Sequence, residues 1–225
     1  MDWNSYVWQK RVQQAVAFSK RAQAAGKLVG VWASGDFEKI IPFRNAIQFQ
    51  PGLNRSQKRL PVMAFEVPAF VWDSVEVYLN GQLQIRKKQD KPRIGFCGQA
   101  RGGLPGFAAW LAKGLKLRGL SIIGQAREVP PPLLPPWLLR ARTLGGLLSK
   151  SPLVETDFII RDRYRAGIRR KEDRDDPFHP TNVEFANNIL NTDYTVCLRG
   201  GGNFSKRLYE TLCCGRIPIF VDTDC

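Results

Sequence analysis

Residues 194–221 read YTVCLRGGGNFSKRLYETLCCGRIPIFV, a strand, a glycine-rich turn, a helix and a second strand in immediate succession. Tyr194 to Leu198 are aromatic, β-branched or apolar, as a buried strand requires. The helix is expected over 205–214, with Leu208 and Leu212 one turn apart and Gly215 as its stop. Pro218 sits near the start of the strand expected over 217–221, a position where a missing N–H is tolerated. Two strands joined by a crossover helix pair in parallel, so the segment predicts an α/β sheet.

The same alternation continues upstream. RIGFCG (93–98) reads as a strand, a helix is expected over 106–118 with Phe107, Leu111 and Leu115 in register, and VPPPLLPP (129–136) reads as a rigid surface loop. A helix over 137–149, the strand TDFIIR (156–161) and a helix opened by Thr181, with Glu184 at capping-box spacing, complete the series. This predicts a parallel sheet covered on both faces, with ligands bound beyond the carboxyl ends of its strands.

The N-terminal part reads as a smaller α/β unit. Trp8, Val12, Ala15, Val16 and Ser19 have helical spacing within 4–25, and Gly26 stands where a cap would. LVGVWASGD (28–36) follows as a buried strand, with shorter strand-like runs at 46–50 and 62–72. NGQLQIRKKQDKP (80–92) is polar, charged and closed by proline, so it is the expected connection, dividing residues 1–90 from 91–225.

Composition bounds the function. With 225 residues, 44% of them hydrophobic and six Trp, the chain can bury a core, which excludes a disordered class. Its 34 Lys and Arg against 20 Asp and Glu give a formal charge of +14, favouring a phosphate-bearing partner, a polyanion or an anionic membrane surface. Seven of the bases crowd residues 161–174, a mixed-charge run that reads as a solvated loop. Five cysteines, none in a C-x-x-C pair, argue against a zinc site and for reduced thiols. No apolar run reaches eighteen residues and the N-terminus lacks a signal pattern, so a cytoplasmic protein with peripheral membrane contact is expected. His179, the single histidine, lies just before a helix and reads as structural.

The turn at Arg199-Gly200-Gly201-Gly202-Asn203 carries the chemistry. Glycines permit positive φ and close backbone approach, and a helix N-terminus attracts phosphate through its N–H groups and dipole. Arg199 and Arg207 flank the turn and can pair bidentately with phosphate oxygens. Glu210 lies one helical turn beyond Arg207, a spacing that suits either a site or a surface ion pair.

RGGGNFSKRLYETL followed by GRIPIFVDTD resembles the donor-site signature of exostosin-like glycosyltransferases. FIIRDRYRAG (158–167) and FCGQARG (96–102) extend the likeness over roughly residues 93–225. The resemblance implies a GT-B-like architecture of two Rossmann-like α/β domains facing a cleft. The N-terminal unit reads as incomplete, and because the sequence stops at Cys225, just after a strand, the second domain is expected to be incomplete as well. It further implies a nucleotide diphosphate sugar held by Arg199, Gly200, Gly201, Gly202, Asn203, Ser205 and Arg207, with Glu210 accepting from the ribose hydroxyls. Gly98, Arg161, Arg163 and Asp222 are further expected donor contacts.

Such enzymes invert the anomeric centre with a general base from the other domain, and Asp36, after Gly35 at a strand end, is the candidate. The acceptor would be a glycan or a lipid-linked sugar. No cofactor is expected, and a divalent metal is not: Asp222 and Asp224 resemble the DxD motif of another transferase class but fit the end of a Rossmann strand better. A basic nucleic-acid-binding module and a non-catalytic glycan-binding relative are the alternative readings, although no nucleic-acid signature accompanies the Arg-rich run.

Overall fold

The computed structural model describes residues 1–36, 39–54, 63–87, 89–148 and 152–223. Among them are two parallel sheets, each with its own apolar core. The N-terminal sheet orders β1 (Val29–Trp32), β2 (Ala46–Gln50) and β3 (Met63–Glu66) side by side. Its core joins Val29, Val31 and Ala46 to Trp3 of α1 (Trp3–Trp8) and Ala15 of α2 (Val12–Ala24).

One helix was expected over 4–25; the structure has two. Lys10 takes a left-handed conformation (φ 55°), and Arg11 N–H closes on Tyr6 O at 2.7 Å, ending α1 as a helix terminus. The break turns Trp8 outward, 88% exposed, and puts Trp3 into the core in its place.

A further helix, α3 (Ser74–Leu79), was not expected; Asp73 caps it by accepting from Val75 N and Glu76 N. The residues after it are a packed strap rather than a free connection. Arg86 Nε donates to Asp193 Oδ1 at 2.7 Å, and buried Arg216 donates to Gln84 O at 3.0 Å. Arg216 also donates to Leu190 O and Cys214 O, the carbonyl ends of two helices, where a cation is favoured. The strap therefore belongs to the C-terminal sheet, upstream of the boundary expected near residue 91.

The C-terminal sheet comprises β4 (Arg93–Gln99), β5 (Glu155–Arg161), β6 (Tyr194–Cys197) and β7 (Ile217–Phe220), all parallel in the order β5-β4-β6-β7. Strand order reverses between β4 and β6, the switch point at which open α/β sheets bind ligands. Ile94, Phe96, Val196 and Leu198 pack with Leu139, Leu144 and Leu147 of α5 (Pro136–Leu148). Gly95 meets Thr192 and Asn188, at the end of α7 (Pro180–Leu190), and Cys197 meets Thr211 of α8 (Lys206–Cys213). A parallel α/β sheet is thus present, as the alternation predicts.

Two local expectations fail. The helix expected over 106–118 is α4 (Leu104–Ile122), but its Phe107 and Leu115 face solvent rather than the sheet. Helix α7 is capped by His179, whose Nδ1 accepts from Thr181 N at 3.2 Å, and Glu184 pairs with Arg161 instead of closing a capping box. The short α6 (Lys171–Asp175) lies within the charged run.

Candidate anion site between the sheets

The glycine-rich turn does not use positive φ at Gly200, Gly201 or Gly202. What it uses is the missing side chain. A Cβ on Gly202 would collide with the main chain of Asp36, and one on Gly201 would stand 3.1 Å from Asp36 Oδ2. On the other flank Gly52 (φ 75°) approaches Asn203 and Phe204 so closely that its own Cβ would lie 2.7 Å from the Phe204 ring. The turn is clamped between the strand ends of the N-terminal sheet, and close approach is the reason for its glycines.

Arg199 and Asn203, expected to hold the donor, serve this clamp. Arg199 is buried and its Nη1 donates to Asn203 Oδ1 at 2.9 Å. Asn203 Nδ2 in turn donates to Leu53 O at 3.1 Å, and Thr223 Oγ1 to Asn203 Oδ1 at 2.9 Å. Neither Arg199 nor Asn203 lines the cavity beside the turn. Lys39 pairs with Glu128, adding a second tie between the two halves of the chain.

That cavity, of about 300 Å³, opens at the carboxyl ends of β4 and β6. Its walls bring together Gly98, Arg161, Gly200, Gly201, Gly202, Ser205, Arg207 and Glu210 from the expected set, and Asp36 from across the cleft. Exposed Arg163 is not among the lining residues, nor is exposed Asp222, which follows β7. Asp224 lies outside the described residues. Among the described residues no group of three His, Cys, Asp or Glu side chains converges as a metal site would require.

Helix α8 points its N-terminus into the cavity. Ser205, its N-cap, makes no side-chain capping bond; Leu208 N donates to Ser205 O at 3.1 Å, and the Lys206 and Arg207 N–H groups with the positive dipole end are left for a ligand. Lys206 and Arg207 follow directly.

Arg207 is more than a flanking cation. Its guanidinium lies 4.4 Å from the Phe96 ring centroid and 5.4 Å from that of Phe185. Nη2 donates to Cys97 O at 2.6 Å and Nη1 to Val196 O at 3.4 Å, so the side chain bridges the ends of β4 and β6 at the switch point. A Cβ on Gly98 would stand 2.9 Å from Arg207 Nη2, so the guanidinium lies directly over this glycine. Burial, with the nearby charge of Arg161, lowers the Arg207 pKa.

Among the lining residues not expected as part of the site are Arg140, Arg165, Tyr164 and Lys206. Arg140 reaches over from α5, donating to Gln99 O at 3.0 Å and Arg199 O at 2.8 Å. Burial and the neighbouring Arg207 charge bring its pKa down to about 10. The signal was present, because Arg140 lies one helical turn before the buried Leu144 and so shares its inward face. Arg165 and Tyr164 follow β5 in a turn where Arg165 (φ 47°), Ala166 (φ 53°) and Gly167 (φ 87°) are successively left-handed. Two non-glycine residues in that region cost about 1–3 kcal/mol each. This conformation has no simple sequence signature.

The balance of charge favours an anion. Among the described residues Arg140, Arg161, Arg165, Lys206 and Arg207 line the cavity against Asp36 and Glu210, and Arg161 is already paired with Glu184. Burial pushes the Glu210 carboxyl up, outweighing Arg207, Lys206 and Arg165, which pull it down. Glu210 O accepts from Cys214 N at 3.2 Å, whereas among the described residues its carboxylate makes no hydrogen bond and is available to a hydroxyl-bearing ligand.

No protein-family model matches the sequence, and no characterised protein or solved structure shows significant similarity to the chain.

Proposed function

We propose that the chain is a GT-B-like glycosyltransferase that moves a sugar from a nucleotide diphosphate donor to a glycan or lipid-linked acceptor with inversion. One observation carries the reading. The uncapped N-terminus of α8, with Arg140, Arg165, Lys206 and Arg207, converges on one cavity at the β4–β6 switch point, and among the described residues one carboxylate, Asp36, faces it from the other sheet.

In this reading Asp36 takes the proton of the acceptor hydroxyl as its oxygen bonds to the sugar C1. The C1–O bond to the diphosphate breaks, and its electron pair leaves with the phosphate oxygen. The α8 dipole and the cations around it stabilise that charge as it develops. Glu210 accepts from the ribose hydroxyls, and Gly200 to Gly202 present main chain to the donor. The free thiols of Cys97, Cys197, Cys213 and Cys214 fit a reducing, cytoplasmic compartment.

Calorimetry of the chain with a panel of nucleoside diphosphates tests the donor site. One saturable site is expected; no binding by any member would sink the reading. Asp36→Asn is expected to keep that affinity while abolishing transfer in a product assay.

A further inference from the structure

Arg165 differs from the other guanidinium groups of the cavity. Arg140 and Arg207 each donate to two main-chain carbonyls at or near the ends of β4 and β6, and Arg161 pairs with Glu184. Arg165 lines the same cavity, yet among the described residues its guanidinium makes one hydrogen bond, from Nη1 to Arg174 O at 3.5 Å, the longest of these contacts. That carbonyl also accepts from Asn182 Nδ2 at 3.3 Å, so it keeps a partner when Arg165 leaves it. Arg165 can therefore turn to an anion without orphaning a buried group.

The backbone that carries it is strained. Arg165 (φ 47°, ψ 40°) and Ala166 (φ 53°, ψ 18°) are both left-handed, a region where the β-carbon crowds the neighbouring main chain, and Gly167 (φ 87°) follows. Ala166 N donates to Arg163 O at 3.2 Å and Ile168 N to Arg165 O at 3.1 Å. Both are i to i+3 bonds, which a right-handed turn makes equally well. Packing does not impose the handedness either, since Ala166 is exposed and Tyr164 is 70% exposed. What the left-handed pair achieves is the place of Arg165 in the cavity wall. Strain of this kind, where it is observed at a site, belongs to the working of that site.

We propose that the 164–167 turn is a strained latch. It exchanges between a relaxed form, with Arg165 out of the cavity, and the left-handed form, with Arg165 in its wall. A diphosphate group selects the second form by accepting from the Arg165 guanidinium. The apparent dissociation constant is then the intrinsic one divided by the fraction of chains already left-handed, so the backbone preference of Ala166 sets the affinity of a cavity that its side chain does not line. The latch rests on the anion-binding part of the donor reading and not on the sugar.

Calorimetry with inorganic pyrophosphate tests the latch through position 166, where an exposed side chain changes little but the backbone preference. Glycine enters the left-handed region freely, so Ala166→Gly is expected to bind pyrophosphate about threefold tighter. A β-branched residue is excluded from that region, so Ala166→Val should bind about tenfold more weakly, with far-UV circular dichroism unchanged. Arg165→Ala should lose about tenfold, and in that background both substitutions at 166 should be silent. A merely structural turn would not show that silence. Equal affinities at position 166, differences that persist without Arg165, or no pyrophosphate binding by the unaltered chain each overturn the latch. Titration with nucleoside diphosphates in parallel separates the two readings: the donor assignment falls, and the latch stands, when pyrophosphate binds with these differences and no nucleoside diphosphate binds.

Discussion

Asp36 and Gly202 meet main chain to main chain: a β-carbon on Gly202 would stand 2.8 Å from the carbonyl carbon of Asp36. The carboxylate proposed as base and the turn proposed to hold the donor are therefore in contact before any ligand arrives. Each depends on the other for its position.

Gly202→Ala is accordingly expected to push the two sheets apart. Overpacking of this kind costs about 1–3 kcal/mol, and here the obstacle is backbone rather than a flexible side chain. Thermal unfolding should show a lowered Tm, and nucleoside diphosphate affinity should fall with it. An unchanged Tm would show that Asp36 is not held against the turn.

Lys206 and Arg207 are neighbours with separable roles. Lys206→Ala removes an exposed cation from the first turn of α8 and should weaken nucleoside diphosphate binding about tenfold at constant Tm, in line with a lost charge-assisted hydrogen bond. Arg207→Lys loses the fork that reaches both Cys97 O and Val196 O, as well as the fit on Phe96, so it should lower Tm as well as affinity. Calorimetry and melting curves on both variants separate the two effects.

Glu210 gives a pH dependence of definite sign. Burial raises its pKa in the folded chain, so its contribution to stability is greatest below the unfolded carboxyl value and is lost as pH rises towards the folded one. Above the folded value the ionised carboxylate is a net cost. Glu210→Gln should raise Tm at pH 7 but not at pH 4, while nucleoside diphosphate affinity falls several-fold because a neutral amide accepts more weakly.

Asp193 has the opposite sign. Burial acts to raise its pKa, but hydrogen bonds from Arg86 and from Arg93 N, with the charges of Arg86 and Arg216, outweigh it, and the net shift is downward. Its stabilisation is present above the unfolded value and is lost as pH falls through the folded one. Asp193→Asn should cost about 1–2 kcal/mol at pH 7, the pair being partly solvated, and the difference from the unaltered chain should vanish in acid.

Tyr164 has a ring 70% exposed at the cavity mouth, with the Arg165 guanidinium 5.7 Å from its centroid. If the donor base stacks there, Tyr164→Ala weakens nucleoside diphosphate binding about tenfold or more and leaves inorganic pyrophosphate binding unaltered. Equal losses for the two ligands would exclude stacking.

The parallel C-terminal sheet was legible because each of its strands is a short apolar run with helical spacing between runs. Residues 194–221 were legible residue by residue: Ser205 caps α8, Gly215 follows its end and Pro218 lies near the start of β7. Asp36 could be singled out as the acid at a strand end, and the structure brings it to the cavity. Long-range contacts were not legible. Glycine permits both unusual φ and close approach, and only Asp36 and Phe204, distant in sequence, show that close approach is what the turn requires. Arg199 beside a glycine turn suits a phosphate equally well as it suits Asn203. The surface of α4 was misread because Phe107, Leu111 and Leu115 have the spacing of a buried face, and spacing does not say whether anything covers it.

Asn203 accepts from Arg199 and Thr223 and donates to Leu53 O, so one amide links the turn, the segment after β7 and the N-terminal sheet. Strain at any of the three is transmitted to the other two through a single side chain. An Asp at this position would turn its donor into a second acceptor and set like against like at Leu53. The hydrogen bond that joins the turn to the segment after β2 thus runs through one nitrogen atom, beside the Lys39–Glu128 pair that also ties the two halves.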